Sequence, residues 1–170
     1  MSASRRSDPG TVRLHLLRHA HAGDAFAWSG EDDLRPLTEK GRKQSQRLGD
    51  FLGARNVRPD VIVTSPKVRA AQTAEIVAAK LDMTVRTDRR LADGFGQREL
   101  WALLDEAGAR EVMIVGHDPD FSRLLAYLID AAGISLKKGA LATVDIETRL
   151  GDGEGKLRWL IPPELLAEPG

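Results

Sequence analysis

The 170-residue sequence contains no cysteine. That excludes disulfides, a thiolate nucleophile and cysteine-held zinc or iron–sulfur centres, and it fits a cytoplasmic protein. Neither sign of charge is in excess, because 25 Lys and Arg balance 25 Asp and Glu. A zero net charge leaves no global electrostatic footprint for nucleic acid or an anionic membrane, although it permits a small basic pocket. No apolar run reaches the length of a bilayer span. Residues 1–10 lack the apolar stretch of a secretory signal and carry Arg5, Arg6 and Pro9, so they are expected to form a short disordered arm.

What is present is an alternation of strand and helix patterns. It predicts an α/β fold with a mostly parallel sheet. Strands are expected at Val12–Leu17, Val61–Thr64, Met83–Thr87, Val112–Val115, Ala140–Ile146 and Lys156–Ile161. The last two would be joined by a glycine-rich turn at Gly151–Gly155. A helix is expected from Thr38, a good N-cap, to about Ala54. A second is expected to open at Ser65-Pro66, with serine as cap and proline at the first helical position. A third spans about Gln97–Ala107, and a fourth starts at Asp118-Pro119 by the same cap-and-proline logic. No linker divides the chain, so residues 11–161 read as one domain and 162–170 as a peripheral tail.

Three strands run into residues suited to phosphate chemistry. The first ends in Arg18-His19. The second is followed by Ser65-Pro66 and, one turn into its helix, Arg69. The strand at Val112–Val115 leads to Gly116-His117. In open α/β sheets ligands bind outside the carboxyl ends of the strands, so Arg18, His19, Arg69 and His117 are expected to share one pocket. Helix N-termini there would favour an anion. Imidazole is nucleophilic near neutral pH. Arginine holds phosphoryl oxygens with a planar fork, and a second histidine can donate hydrogen bonds as charge shifts in the transition state. His15, in an apolar strand, is expected to be packed or half-exposed rather than catalytic. His21 lies two residues from His19, but no ordinary zinc-site spacing accompanies the pair, so neither a metal nor another cofactor is expected.

These motifs resemble those of the histidine phosphatase superfamily, in its short SixA-type phosphohistidine phosphatase branch. Leu14–Ala20 is similar to the family's strand followed by Arg-His-Gly, with Ala20 in place of the glycine. Arg35–Gly41 resembles its Leu-Thr-x-x-Gly helix start, Ser65–Ala74 its second-arginine motif, and Val115–Pro119 its second-histidine motif. The resemblance implies a three-layer α/β/α sandwich, His19 as the nucleophile, and Arg18, Arg69 and His117 as the phosphate pocket. Larger members carry a glutamate as proton donor. Here Asp93 and Asp24 are the candidates for that part, and both also fit ordinary turn aspartates.

A site poor in acid suits phosphohistidine, whose imidazole leaving group is readily protonated near pH about 6.5. The expected substrate is therefore a phosphorylated protein carrying phosphohistidine. The alternatives are a small phosphate ester and a non-catalytic phosphate-binding adaptor on the same fold. No nucleic-acid or membrane partner is expected.

Overall fold

The computed structural model describes residues 10–147 and 154–169. Strands β1 (Thr11–Arg18), β2 (Val61–Thr64), β3 (Val85–Thr87), β4 (Glu111–Gly116), β5 (Leu141–Glu147) and β6 (Lys156–Ile161) form one sheet in the order β3-β2-β4-β1-β5-β6. The pairings β2–β3, β2–β4 and β1–β4 are parallel. Strands β5 and β6 run antiparallel at one side. The expected arm and most of the expected Gly151–Gly155 turn lie outside the described residues.

Strand alternation sorts the core into two faces. Leu14, Leu16, Val112, Ile114 and Val144 pack with helices α3 (Gln97–Ala107) and α4 (Asp120–Leu128), which contribute Leu100, Leu104, Phe121 and Leu125. Leu17, Ile62, Met113, Val115 and Leu141 face the other way. They pack with α1 (Glu39–Ala54) and α2 (Val68–Lys80) through Leu48, Leu52, Ala70, Ala74 and Val77. The result is three layers, α/β/α, around a mostly parallel sheet. A short 3-10 turn at Pro163–Leu166 follows β6, and its Leu166 packs on the α1–α2 side.

Two helix starts differ from the sequence expectation. The second helix begins at Val68, not at Pro66, because Lys67 is still extended. Ser65 does not cap it in the expected way. Its hydroxyl accepts only the Lys67 N–H, at 3.2 Å, and otherwise meets His117. The fourth helix begins at Asp120, with Pro119 at the cap position. Asp118 turns instead to the Ser122 backbone and hydroxyl, at 2.9 and 2.7 Å. Thr38 does cap α1, accepting from the Gly41 N–H at 3.2 Å. The third strand is shorter than expected, starting at Val85.

Candidate active site

Register places the reactive residues. Arg18 of β1 lies opposite Gly116 of β4, and Thr64 of β2 opposite Val115. The residues just beyond are tied by backbone bonds: His19 N–H to Gly116 O at 2.9 Å and Ser65 N–H to Val115 O at 2.9 Å. His19, Ser65 and His117 thus leave the sheet side by side, and the rings of His19 and His117 are 5.3 Å apart. Two glycines secure this edge. A Cβ on Gly116 would stand 2.7 Å from the Phe121 ring, and one on Gly41 2.0 Å from the His21 carbonyl oxygen. The second contact lets the start of α1 press against the segment after His19. Ala20 stands where the resembling family has glycine. It is buried, its N–H reaches Thr73 Oγ1 at 3.0 Å, and its backbone is not among those with positive φ.

The hydrogen bonds fix the state of both rings. His19 Nδ1 lies 2.8 Å from the Ala20 carbonyl, which can only accept. Nδ1 therefore carries the proton and Nε2 keeps its lone pair, without a hydrogen-bond partner among the described residues. His117 Nε2 lies 2.7 Å from the Ser65 hydroxyl. That hydroxyl already accepts from Lys67 N–H and is fully buried, and we assign its own proton to His117 Nε2, the acceptor in reach. Nδ1 of His117 is then an N–H donor, and it is buried without a partner.

Two further donors share that condition. Among the described residues, four buried side-chain N or O atoms lack a hydrogen bond: Arg18 Nε, Arg69 Nε, His117 Nδ1 and Trp159 Nε1. Three of the four belong to the expected pocket. Each such donor costs about 1–3 kcal/mol unless something accepts from it. Both arginines are gripped from their ends. Arg69 Nη1 donates to the Asp32 carbonyl at 2.7 Å and Nη2 to the Asp32 carboxylate at 3.0 Å. Arg18 Nη1 donates to Leu136 O at 2.7 Å and lies 3.3 Å from Asp118. The Nε side of each guanidinium is left for an oxyanion, which it can bind with two parallel N–H groups.

Burial, followed for His19 by His117, Arg69 and Arg18, lowers its pKa to about 3. Burial and then Arg69 and Lys67 lower that of His117 to about 4. Both rings are therefore neutral across the physiological range. A folded pKa below the unfolded value means that the unfolded chain binds the extra protons. Their contribution to stability is complete above pH about 6.5 and is lost as pH falls toward 4 and then 3. The same shift governs reaction. The acid limb of kcat/KM, corrected for substrate ionisation, is expected below pH 5 rather than near the ordinary histidine value of about 6.5. A rate profile on an aryl phosphate from pH 4 to 8 checks this, and an enzyme pKa near 6.5 would contradict it.

The remaining expected residues fall at the rim or away from it. Asp93 pairs with Lys67 at 2.7 Å, with its side chain 81% exposed. Its charge is felt by His117. Asp24 is an exposed turn residue whose carboxylate accepts the Phe26 N–H at 2.9 Å. His15 is wholly buried between Thr143 Oγ1 and Glu111 Oε1, at 2.7 and 2.9 Å, as expected of a packed side chain. His21 faces Thr38 Oγ1 at 2.7 Å. No group of three or more potential metal ligands occurs among the described residues. Sequence reasoning missed Asp32, Arg35, Lys67 and Lys138. Asp32 bridges Arg69 to Arg35, 3.0 Å away. Those arginines, the Arg35 hydrogen bond first, hold its carboxyl below the usual range.

Residues 14–107 match the sequence model of the histidine phosphatase superfamily (branch 1). The chain is 27% identical over 159 residues to the phosphohistidine phosphatase SixA of Escherichia coli, covering 89% of this chain and 94% of that one. It also resembles the structure of the protein histidine phosphatase SixA complexed with tungstate. There the TM-score is 0.76 at 27% identity, over 92% of this chain and 100% of that one. A putative alpha-ribazole-5'-P phosphatase from Escherichia coli shares the fold, with a TM-score of 0.68 at 21% identity over 88% and 95% of the two chains.

Proposed function

The chain belongs to the histidine phosphatase superfamily and is a phosphatase of the SixA-type branch, and we propose that it dephosphorylates protein phosphohistidine through His19. The observation that carries this reading is the set of buried, partnerless donors: Arg18 Nε, Arg69 Nε and His117 Nδ1. All three belong to residues whose charge acts on His19, the His117 ring lies 5.3 Å from it, and the His19 Nε2 lone pair is free. A phosphoryl group supplies the acceptors that these donors lack, and its phosphorus then lies before His19.

The reaction proceeds in two displacements. His19 Nε2 attacks phosphorus, a new P–N bond forms, and the P–N bond to the substrate histidine breaks. The substrate ring, protonated on its other nitrogen near pH about 6.5, leaves as neutral imidazole. Arg18, Arg69 and His117 hold the equatorial oxygens while charge redistributes. Water then attacks phosphorus, releasing inorganic phosphate and restoring His19. No step calls for a strong general acid. Asp93 is solvent-exposed and ion-paired with Lys67, and Asp24 is tied into its turn, which supports an acid-poor site. No helix among the described residues is long and apolar enough to cross a membrane. A cytoplasmic location is part of the proposal, which a chain without cysteine fits.

The substrate test is a parallel measurement of kcat/KM on phosphohistidine protein, phosphoserine peptide and a panel of small phosphate esters. It is joined by a rate series over leaving groups of graded pKa. Phosphohistidine and aryl phosphates are expected to react far faster than alkyl phosphates, and Asp93→Asn and Asp24→Asn to change those rates little. A shallow dependence on leaving group that steepens only in Asp93→Asn, with a loss of about 10²-fold or more on alkyl esters, would make Asp93 a general acid. It would also favour a small phosphate ester as substrate.

A further inference from the structure

The cations around the pocket differ in how they are neutralised. Arg18 has Asp118 within 3.3 Å, and Arg69 and Arg35 share Asp32 at 3.0 Å. Lys67 has Asp93 at 2.7 Å and Asp33 at 3.3 Å. Lys138 has no carboxylate within ion-pair distance among the described residues.

Its place is nonetheless set by the site. The next residue, Gly139, donates its N–H to the carbonyls of Arg18 and His19 at 3.1 and 2.9 Å, which anchors the Lys137–Gly139 turn to the end of β1. The two adjacent lysines diverge. Lys137 is exposed and pairs with Glu164, at the start of the 3-10 turn after β6. Lys138 is half-buried, and the cations acting on it are Arg18, Arg35 and Arg69. Burial first, then these three charges, lowers its pKa. Asp24 acts in the opposite direction from beyond ion-pair distance, with one carboxylate oxygen occupied by the Phe26 N–H.

A half-buried ammonium under the charge of three guanidinium groups is repelled by them, and in the free protein Asp24 offsets this only from beyond ion-pair distance. Two substrate charges can offset it. The phosphoryl group takes the Nε sides of Arg18 and Arg69. A second anion beside it would take Lys138.

We propose that Lys138 forms a second anion subsite adjoining the phosphoryl pocket. The substrate class it selects carries a carboxylate or further phosphate group close to the transferred phosphoryl. On a protein substrate that group is an aspartate or glutamate next to the phosphohistidine. The subsite rests on the phosphate pocket of the function proposed above. It adds a specificity-determining residue that the chemistry at phosphorus does not need.

Calorimetric titration with three non-hydrolysable probes tests it without relying on turnover. Methylphosphonate fills the phosphoryl pocket alone. Phosphonoacetate adds a carboxylate, and methylenediphosphonate adds a phosphonate. The parent protein is expected to bind at least one of the two-anion probes about tenfold more tightly than methylphosphonate, the scale of one charge-assisted contact. The probe that gains identifies the second anion. Lys138→Gln should abolish that advantage while leaving methylphosphonate affinity nearly unchanged, and Lys138→Arg, which keeps the charge, should retain it. An undiminished advantage in Lys138→Gln would overturn the subsite. So would an equal loss for all three probes, which would place Lys138 in the phosphoryl pocket itself. If methylphosphonate fails to bind the parent protein, the phosphate pocket falls, and the subsite with it.

Discussion

His19→Ala is expected to lower turnover of any substrate by at least about 10⁴-fold, the scale on which an enzyme loses its nucleophile, while the protein stays folded. Nothing nearby replaces it. The chain has no cysteine, and the proposed tautomer of His117 directs its N–H, not a lone pair, into the pocket. The cost to the fold is small, because the variant loses a single hydrogen bond to the Ala20 carbonyl, worth about 1 kcal/mol. The decisive measurement is covalent labelling from a phosphoryl donor under quench. The parent protein should carry an acid-labile, base-stable label that His19→Ala lacks. Label persisting on the variant would assign the nucleophile elsewhere.

Arg69→Ala is expected to be nearly as severe, a loss of about 10³-fold, as for removal of a donor that stabilises transition-state charge. Arg69→Lys should restore only a small part of it. The arginine's end grips Asp32 through both Nη atoms, and its buried Nε has no partner and is left for the phosphoryl oxygens in the function proposed above. Lysine carries the charge on one point and cannot hold both partners in a plane. Steady-state kinetics on an aryl phosphate, with circular dichroism to verify folding, decides the matter. Equal rates for lysine and arginine would remove the forked contact from the mechanism.

The elements that organise this site were legible because each carried a local signal. Val61–Thr64 and Gln97–Ala107 stand where the apolar patterning put them. Arg18, His19, Arg69 and His117 were found because strand ends in an α/β sheet gather at one edge, whatever the intervening loops do. The rim was not legible for the opposite reason. Asp32 lies in a polar stretch without apolar patterning, and no periodicity says that it reaches an arginine 37 residues further on. Lys138 sits in an irregular turn held to the site by the neighbouring Gly139 backbone, which no sequence pattern announces. Ser65 misled the helix boundary for a physical reason. Its oxygen accepts only the N–H of Lys67, which is still extended, and its hydroxyl lies against His117, a partner 52 residues away that no local cap signal announces.

The position of β1 between β4 and β5 has a consequence for how the molecule is made. His15, four residues before His19, bonds across the sheet to side chains 96 and 128 residues away. The segment bearing His19 is thus synthesised well before both of the strands that flank it. Contacts so distant in sequence pay the loop-closure entropy late and slow folding. A nascent chain halted before Gly139 would expose one edge of β1 and would lack the Gly139 contacts to Arg18 and His19. Helices and the β2–β3 pair could already be formed on such a chain, while the reactive edge would not. Competence for phosphoryl transfer should therefore arise in a single late step, with the arrival of β5, rather than accumulate as the chain lengthens.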